Sequence, residues 1–272
     1  MFDRVLVLDF GSQYNQLIAR RIRELAVYSE IVPHDIAAEE VRARNARALV
    51  LSGGPASVRT SRPPLPDPGI FKLGIPVLGI CYGMQAIVQM LGGRVSAGHR
   101  REFGFATLSR TRYSPLLAGL PRQFQVWMSH GDTVTRLPRG FATVGRTADV
   151  ACAASANEER RIYGVQFHPE VAHTPLGMKL LANFVLRIAQ CRPGWTMRSF
   201  IKEKTREIRE RTAGGKVLCA VSGGVDSSVL AALLARAVDR QLVAVFVDNG
   251  LLRQGEADEV RRALGRRMNL RV

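Results

Sequence analysis

Long apolar runs, paired cysteines and aromatic clusters are what this sequence does without. None of its apolar stretches approaches the ~20 residues that a bilayer-spanning helix needs, so no membrane partner is expected. Met1 to Leu8 leads straight into a strand, with no basic region, extended apolar segment or small-residue cleavage site ahead of it. That start points to a cytoplasmic location. The four cysteines, Cys81, Cys152, Cys191 and Cys219, form neither a CxxC pair nor a tight Cys/His cluster. A structural zinc site is excluded on that ground, and in a reducing compartment a structural disulfide is not expected. Acidic residues are few, 23 against 39 Lys and Arg, which leaves a net charge of +16. Such a charge invites a nucleic-acid partner. Yet the basic residues are mostly Arg and are spread in short clusters such as Arg20-Arg21, Arg100-Arg101 and Arg266-Arg267. Aromatics are only 7%, and no nucleic-acid motif accompanies the charge. Solvated arginine faces, with a field that suits a nucleotide substrate, account for it without nucleic acid.

The 272 residues, 46% apolar and 23% charged, suit one large or two modest globular domains. Apolar residues at 4–10, 27–32 and 48–51 read as strands, with helices between them carrying Leu17, Ile18, Ile22 and Leu25, then 41–46. Ser12 is placed to cap the first helix. This βαβα rhythm predicts a parallel sheet with right-handed crossovers. A Pro-rich loop fills 59–68. From 92 to 150 the pattern becomes short alternating runs, 103–108 and 124–128, which read as antiparallel or edge strands with Ser129-His130-Gly131-Asp132 just after the second. A strand over 162–167 delivers His168-Pro169-Glu170, and a helix over 177–190 ends at Cys191-Arg192-Pro193-Gly194. The boundary is placed there, giving domains 1–191 and 192–272. The second begins with a charged helix over 197–211. It continues with a strand over 216–221, the loop 222–228, a helix over 229–238, a strand over 241–247 and a helix over 256–267. Two strands with their crossovers do not close a nucleotide-binding domain, so this part reads as incomplete.

Cys81 sits between Gly79 and Gly83, after the apolar run 75–78 and before a helix. That is the setting of a nucleophile elbow. A thiol needs its pKa lowered to act near neutral pH. A helix N-terminus, a histidine and a carboxylate that orients the histidine all help. His168 and Glu170 alternate on an extended segment stiffened by Pro169, so both side chains can share one face. Taken singly, Cys81 reads as well as a buried core thiol and His168 as a surface histidine. Together they suit acyl transfer from an amide. The tetrahedral oxyanion then needs N–H donors, each worth roughly 3–4 kcal/mol of barrier. Tyr82 N–H follows the nucleophile, and Gly54, in Ser52-Gly53-Gly54-Pro55, is the natural second donor. An ordinary Gly-Pro turn reads that loop equally well.

These three stretches resemble the class I (triad) glutamine amidotransferases. The resemblance implies a flavodoxin-like α/β domain with a mixed, mostly parallel sheet, a glutaminase that releases ammonia, and Cys81, His168 and Glu170 as nucleophile, base and orienting acid. It also implies that Gln85 and Ser129, His130, Gly131 and Asp132 help hold the glutamine backbone.

Ser222-Gly223-Gly224-Val225-Asp226-Ser227-Ser228 lies between strand and helix, where backbone N–H groups can face a phosphate. It lacks the lysine of a Walker loop. A solvated Gly-Ser turn is the plain alternative. The stretch resembles the pyrophosphate loop of N-type ATP pyrophosphatases, so a partial adenine nucleotide alpha-hydrolase-like α/β domain is expected. The resemblance implies that these seven residues hold ATP and that Asp226 coordinates Mg²⁺. An amidotransferase followed by such a loop resembles the glutamine-hydrolysing GMP synthase family, supported by 7–14, 53–58, 195–197 and 245–253. That family implies glutamine, ATP and XMP as substrates and adenine against the backbone near Val247.

The family continues past Val272 through the rest of its ATP domain and a dimerisation domain. The expectation is therefore that this chain alone does not make GMP. Three readings compete: another amidotransferase of the class, a non-catalytic module, and a basic nucleic-acid binder. The second motif, the intact Cys81/His168/Glu170 set and the scattered charge argue against them in turn.

Overall fold

A computed structural model describes residues 2–248, 250, 253–265 and 270–271. Asn249, Leu251, Leu252, Arg266 and Arg267, all used in the sequence reading, lie outside the described residues. Contacts divide the chain into two units, Met1–Trp195 and Thr196–Val272. Residues 192–195 hydrogen-bond within the first unit: Arg192 N–H donates to Asp3, and Gly194 and Trp195 N–H both donate to the Ala26 carbonyl.

The first unit holds the strands β1 (Arg4–Asp9), β2 (Tyr28–Pro33), β3 (Ala46–Leu51), β4 (Val77–Ile80), β5 (Arg94–Arg110), β6 (Gln123–Arg136), β7 (Ala142–Arg146), β8 (Ala154–Asn157) and β9 (Ile162–Val165). They form one sheet in the order β2-β1-β3-β4-β9-β8-β7-β5-β6. The run from β2 to β9 is parallel and the remainder antiparallel. The helices are α1 (Asn15–Glu24), α2 (Ala38–Ala43), α3 (Tyr82–Met90) and α4 (Gly177–Ala182), which continues as a wide π turn over Asn183–Ile188.

β1 has an unbroken apolar core because both of its faces are covered. Val5 and Val7 join α1, α4 and Phe184 in one cluster, while Leu6 and Leu8 join Val41, Ile70 and Tyr82 in the other. This doubly wound arrangement, with its 2-1-3-4 beginning, directs the C-terminal ends of β1, β3 and β4 to a common crevice.

Some boundaries differ from the sequence reading. Ser12 does not cap α1. Gly11 takes φ +86° and its N–H bonds the Asp9 carboxylate, while Ser12 Oγ accepts from Tyr14 N–H, so the helix starts at Asn15. α2 starts three residues before the expected Val41, with Ala38 N–H held by Asp67, and stops before Asn45 at φ +52°. Ser129 to Asp132 lie inside β6 rather than after it, because pairing with β5 continues through this segment. The strand expected to reach Phe167 ends at Val165.

The second unit contains α5 (Met197–Thr212), β10 (Val217–Val221), α6 (Val225–Val238), β11 (Leu242–Phe246), α7 (Glu256–Gly265) and β12 (Leu270–Arg271), with a parallel sheet β10-β11-β12. A capping box between Thr196 and Ser199 starts α5. α6 begins four residues earlier than expected. Val225 to Ser228 are therefore its first turn rather than loop, with Ser228 N–H already bonded to the Gly224 carbonyl. Among the described residues, no helix is long and apolar enough to cross a membrane.

Candidate active site

The turn from β4 into α3 is set by close backbone packing. A Cβ on Gly79 would lie 2.5 Å from Met84 N, and one on Gly83 would overlap the Leu51 carbonyl oxygen. With both glycines, α3 can press against the end of β3, where Gly83 N–H donates to the Ser52 carbonyl. Cys81 absorbs the sharp turn at φ +51°, ψ −105°, a region that L residues rarely occupy. The strain holds its side chain at the N-terminus of α3, buried, with Sγ 3.5 Å from the Ser129 carbonyl oxygen.

His168 reaches the same point from the loop after β9. Its main-chain N–H bonds the Trp127 carbonyl and its carbonyl accepts from Thr174 Oγ1. Its Nδ1 lies 2.7 Å from Glu170 Oε1. Burial opposes protonation of His168. The hydrogen bond with Cys81, the bond to Glu170 and the negative charge of both partners outweigh it and hold the imidazole pKa up at about 10. Glu170 is fully buried; its main-chain carbonyl accepts from Arg21 Nε on α1. The Tyr14 and His168 rings meet in a T-shaped contact, with centroids 5.4 Å apart.

The loop after β3 closes the other side. A Cβ on Gly53 would stand 3.1 Å from His168 Cε1 and 3.7 Å from Cys81 Cβ, so only glycine leaves this space open. Neither Gly54 N–H nor Tyr82 N–H donates to another described residue.

Gln85 is buried on α3, and its Nε2 donates to the Asp132 carbonyl (3.0 Å) and to Gln166 Oε1 (3.3 Å). Asp132 directs its carboxylate to Ser57 Oγ and, at 3.2 Å, to Arg59, tying the Pro-rich loop to β6. His130 points away from that carboxylate. Its Nδ1 meets the Asp132 carbonyl at 2.9 Å and its Nε2 lies 3.4 Å from Glu102 on β5. Burial lowers the His130 pKa, against the opposing pull of the Asp132 carbonyl and Glu102. Gly131 has open space where its Cβ would be.

In the second unit, Gly223 at φ +81° turns the chain from β10 toward α6. Ser222 N–H donates to Ser227 Oγ (3.2 Å), and Ser227 and Ser228 hydroxyls donate back to the Gly224 carbonyl (3.1 and 2.8 Å). The hydroxyls thus gather around a helix N-terminus, the arrangement that receives anions. Val225, Asp226 and Val247 are all exposed.

The family model for glutamine amidotransferase class-I matches residues 6–188. The chain belongs to the class I glutamine amidotransferases. A model of the tRNA methyl transferase HUP domain matches residues 215–263, the stretch that carries the second loop. Among curated proteins, GMP synthase [glutamine-hydrolyzing] of Syntrophomonas wolfei is 51% identical over 99% of this chain and 53% of its own length. That of Geobacillus kaustophilus is 52% identical over the same shares. The chain thus spans about half the length of the curated relatives it matches. Among solved structures, a Thermoplasma acidophilum protein provisionally described as one part of a GMP synthase superposes with a TM-score of 0.64 at 32% identity. That match covers 70% of this chain and 95% of the other. The structure of SMU.1228c shares the fold alone, with a TM-score of 0.55 at 15% identity over 68% of this chain.

Within this amidotransferase unit, sequence reading missed three contributors. Gln166 donates its amide toward Cys81, Arg21 braces the Glu170 main chain, and Glu102 pairs with His130. Arg21 and Glu102 are distant in sequence from their partners and carry no local signal. Gln166 lies two residues before His168, where a polar residue directly after the apolar strand was the available hint.

Proposed function

We propose that the chain hydrolyses glutamine at Cys81 and forms the glutaminase part of a glutamine-hydrolysing GMP synthase. The observation that carries this reading is the convergence of Cys81, from the β4–α3 turn, with His168 and Glu170, from the loop after β9, onto one buried point, with the Gly53-Gly54 loop against them. The Cys81 thiolate attacks the glutamine side-chain carbonyl, and the oxyanion is received by the Tyr82 and Gly54 N–H groups. The tetrahedral adduct collapses as His168 gives its proton to the leaving nitrogen, releasing ammonia and leaving a γ-glutamyl thioester. His168 then takes a proton from water, which attacks the thioester to give glutamate and free the thiolate. Glutamine and water become glutamate and ammonia. Ser129, His130, Gly131, Asp132 and Gln85 are assigned to the glutamine backbone, with Gln85 and Asp132 acting from the bonded positions described above.

The second loop is assigned to ATP, with Ser222, Gly223, Gly224, Val225, Asp226, Ser227 and Ser228 around the phosphates and Val247 near adenine. No group of three or more metal-ligating side chains occurs among the described residues. One exposed carboxylate beside a phosphate cradle fits Mg²⁺, which keeps waters and takes its other oxygens from phosphate. Asp226 would hold that ion, which neutralises phosphate charge when bound. XMP, adenylated by ATP, would be the acceptor of the ammonia, and the divisions 1–191 and 192–272 would separate its production from its use.

Glutamate formation from glutamine by the purified chain, measured beside Cys81→Ala, tests the reading. Loss of glutamate release in Cys81→Ala is the expected result. Equal release by both proteins would remove the proposal.

A further inference from the structure

Three amides in a row lead from β6 to the Cys81 sulfur, and their polarity is fixed from one end. The Asp132 main-chain carbonyl can only accept a hydrogen bond, so the Gln85 Nε2 that meets it at 3.0 Å must be the amide nitrogen. The same nitrogen lies 3.3 Å from the Gln166 side chain, which must therefore present its oxygen there. This leaves Gln166 Nε2 facing Cys81 Sγ at 3.7 Å. Gln166 is fully buried, so no water competes for the amide. From the other side, Sγ meets the Ser129 carbonyl at 3.5 Å, a contact open to a thiol S–H but repulsive to a thiolate.

From this geometry we infer that Gln166, oriented by Gln85, is a second N–H donor to the Cys81 sulfur and stabilises it as thiolate. The inference rests on the glutaminase reading. Proton transfer from Cys81 to His168 turns the sulfur from donor into acceptor. A fixed N–H then gains strength while the contact to Ser129 turns unfavourable, so the two neighbours act in opposite directions on the one proton. Among the described residues, the titratable groups packed around this pair are His168 and Glu170 after β9, Tyr14 ahead of α1, His130 and Asp132 on β6, Glu102 on β5 and Arg21 on α1. Of these titratable groups, His168 alone shares a hydrogen bond with the sulfur, so a change confined to Gln166 or Gln85 reports on the amide row.

The test is the pH dependence of Cys81 alkylation by iodoacetamide without glutamine, read by mass spectrometry of the Cys81 peptide. Gln166→Met and Gln85→Met keep the volume close while removing the amides. The expected result is a midpoint about one pH unit higher in Gln166→Met, equivalent to a tenfold change, and a smaller rise in Gln85→Met. A midpoint that stays put in either folded variant overturns the inference. Failure of the underlying reading looks different. There the unsubstituted chain itself would titrate like a free thiol and release no glutamate.

Discussion

Replacing Glu170 by Gln changes one buried charge and little else. The side chain keeps its size, and the Arg21 contact is to the main chain, which the substitution leaves in place. What changes is the partner of His168 Nδ1 at 2.7 Å. A hydrogen bond to a charged group is worth about 1.5–3 kcal/mol and a neutral one about 0.5–1.5, so the imidazolium loses roughly 1–1.5 kcal/mol. At 1.36 kcal/mol per unit, the His168 pKa should fall by about one unit from its raised value near 10. The sign for stability follows. A histidine whose folded pKa stands above 6.5 contributes fully below about pH 6.5, and that contribution is lost as pH climbs through about 10. In Glu170→Gln the loss should be complete at lower pH. An NMR titration of the His168 ring, paired with urea unfolding at pH 6 and pH 9, measures both. Glutamate release should fall by about tenfold in kcat/KM. An unchanged His168 titration in a folded Glu170→Gln protein would refute the coupling between Glu170 and His168.

Gly83→Ala should lower stability by about 1–3 kcal/mol in urea unfolding, since its Cβ meets main chain that has no room to yield. Gly131→Ala, with open space at its Cβ, should stay within about 0.5 kcal/mol; similar losses in the two would contradict the packing argument. Cys81→Gly and Cys81→Ala should both lose glutamate release, with the glycine variant more stable by about 1–3 kcal/mol because it relieves the backbone strain at φ +51°. Equal thermal midpoints for the two would show that the elbow stores no strain. Asp226→Asn should leave the circular dichroism spectrum unchanged, as an exposed residue should, and abolish any Mg²⁺-dependent increment in ATP retention. An increment that survives the substitution would take Asp226 out of the metal's coordination.

Much of the first unit was readable because local pattern and tertiary role agree there. The apolar runs of β1, β3 and β4 are buried on both faces, and the glycines around Cys81 mark a turn that steric contact requires. The reading failed where long-range pairing decides. Ser129 to Asp132 carry little strand propensity, yet lie in β6 because β5 runs alongside them. Ser12 looked like a cap, but its hydroxyl accepts from Tyr14 N–H, one residue before the helix begins. Ser222 to Ser228 looked like one loop. The serine hydroxyls instead bond back to Gly224 and let the helix start at Val225. The amide row from Asp132 to Cys81 joins residues up to 85 positions apart, so no sequence window contains it.

Glutamine hydrolysis at Cys81 passes through a covalent intermediate on its sulfur. Acid quenching of the chain during turnover of glutamine, followed by mass spectrometry of the Cys81 peptide, tests it most directly. A γ-glutamyl thioester should build up on Cys81 within the first turnover and be absent from Cys81→Ala. Glutamate released at an undiminished rate by Cys81→Ala, with no adduct on Cys81 in the unsubstituted chain, would contradict it.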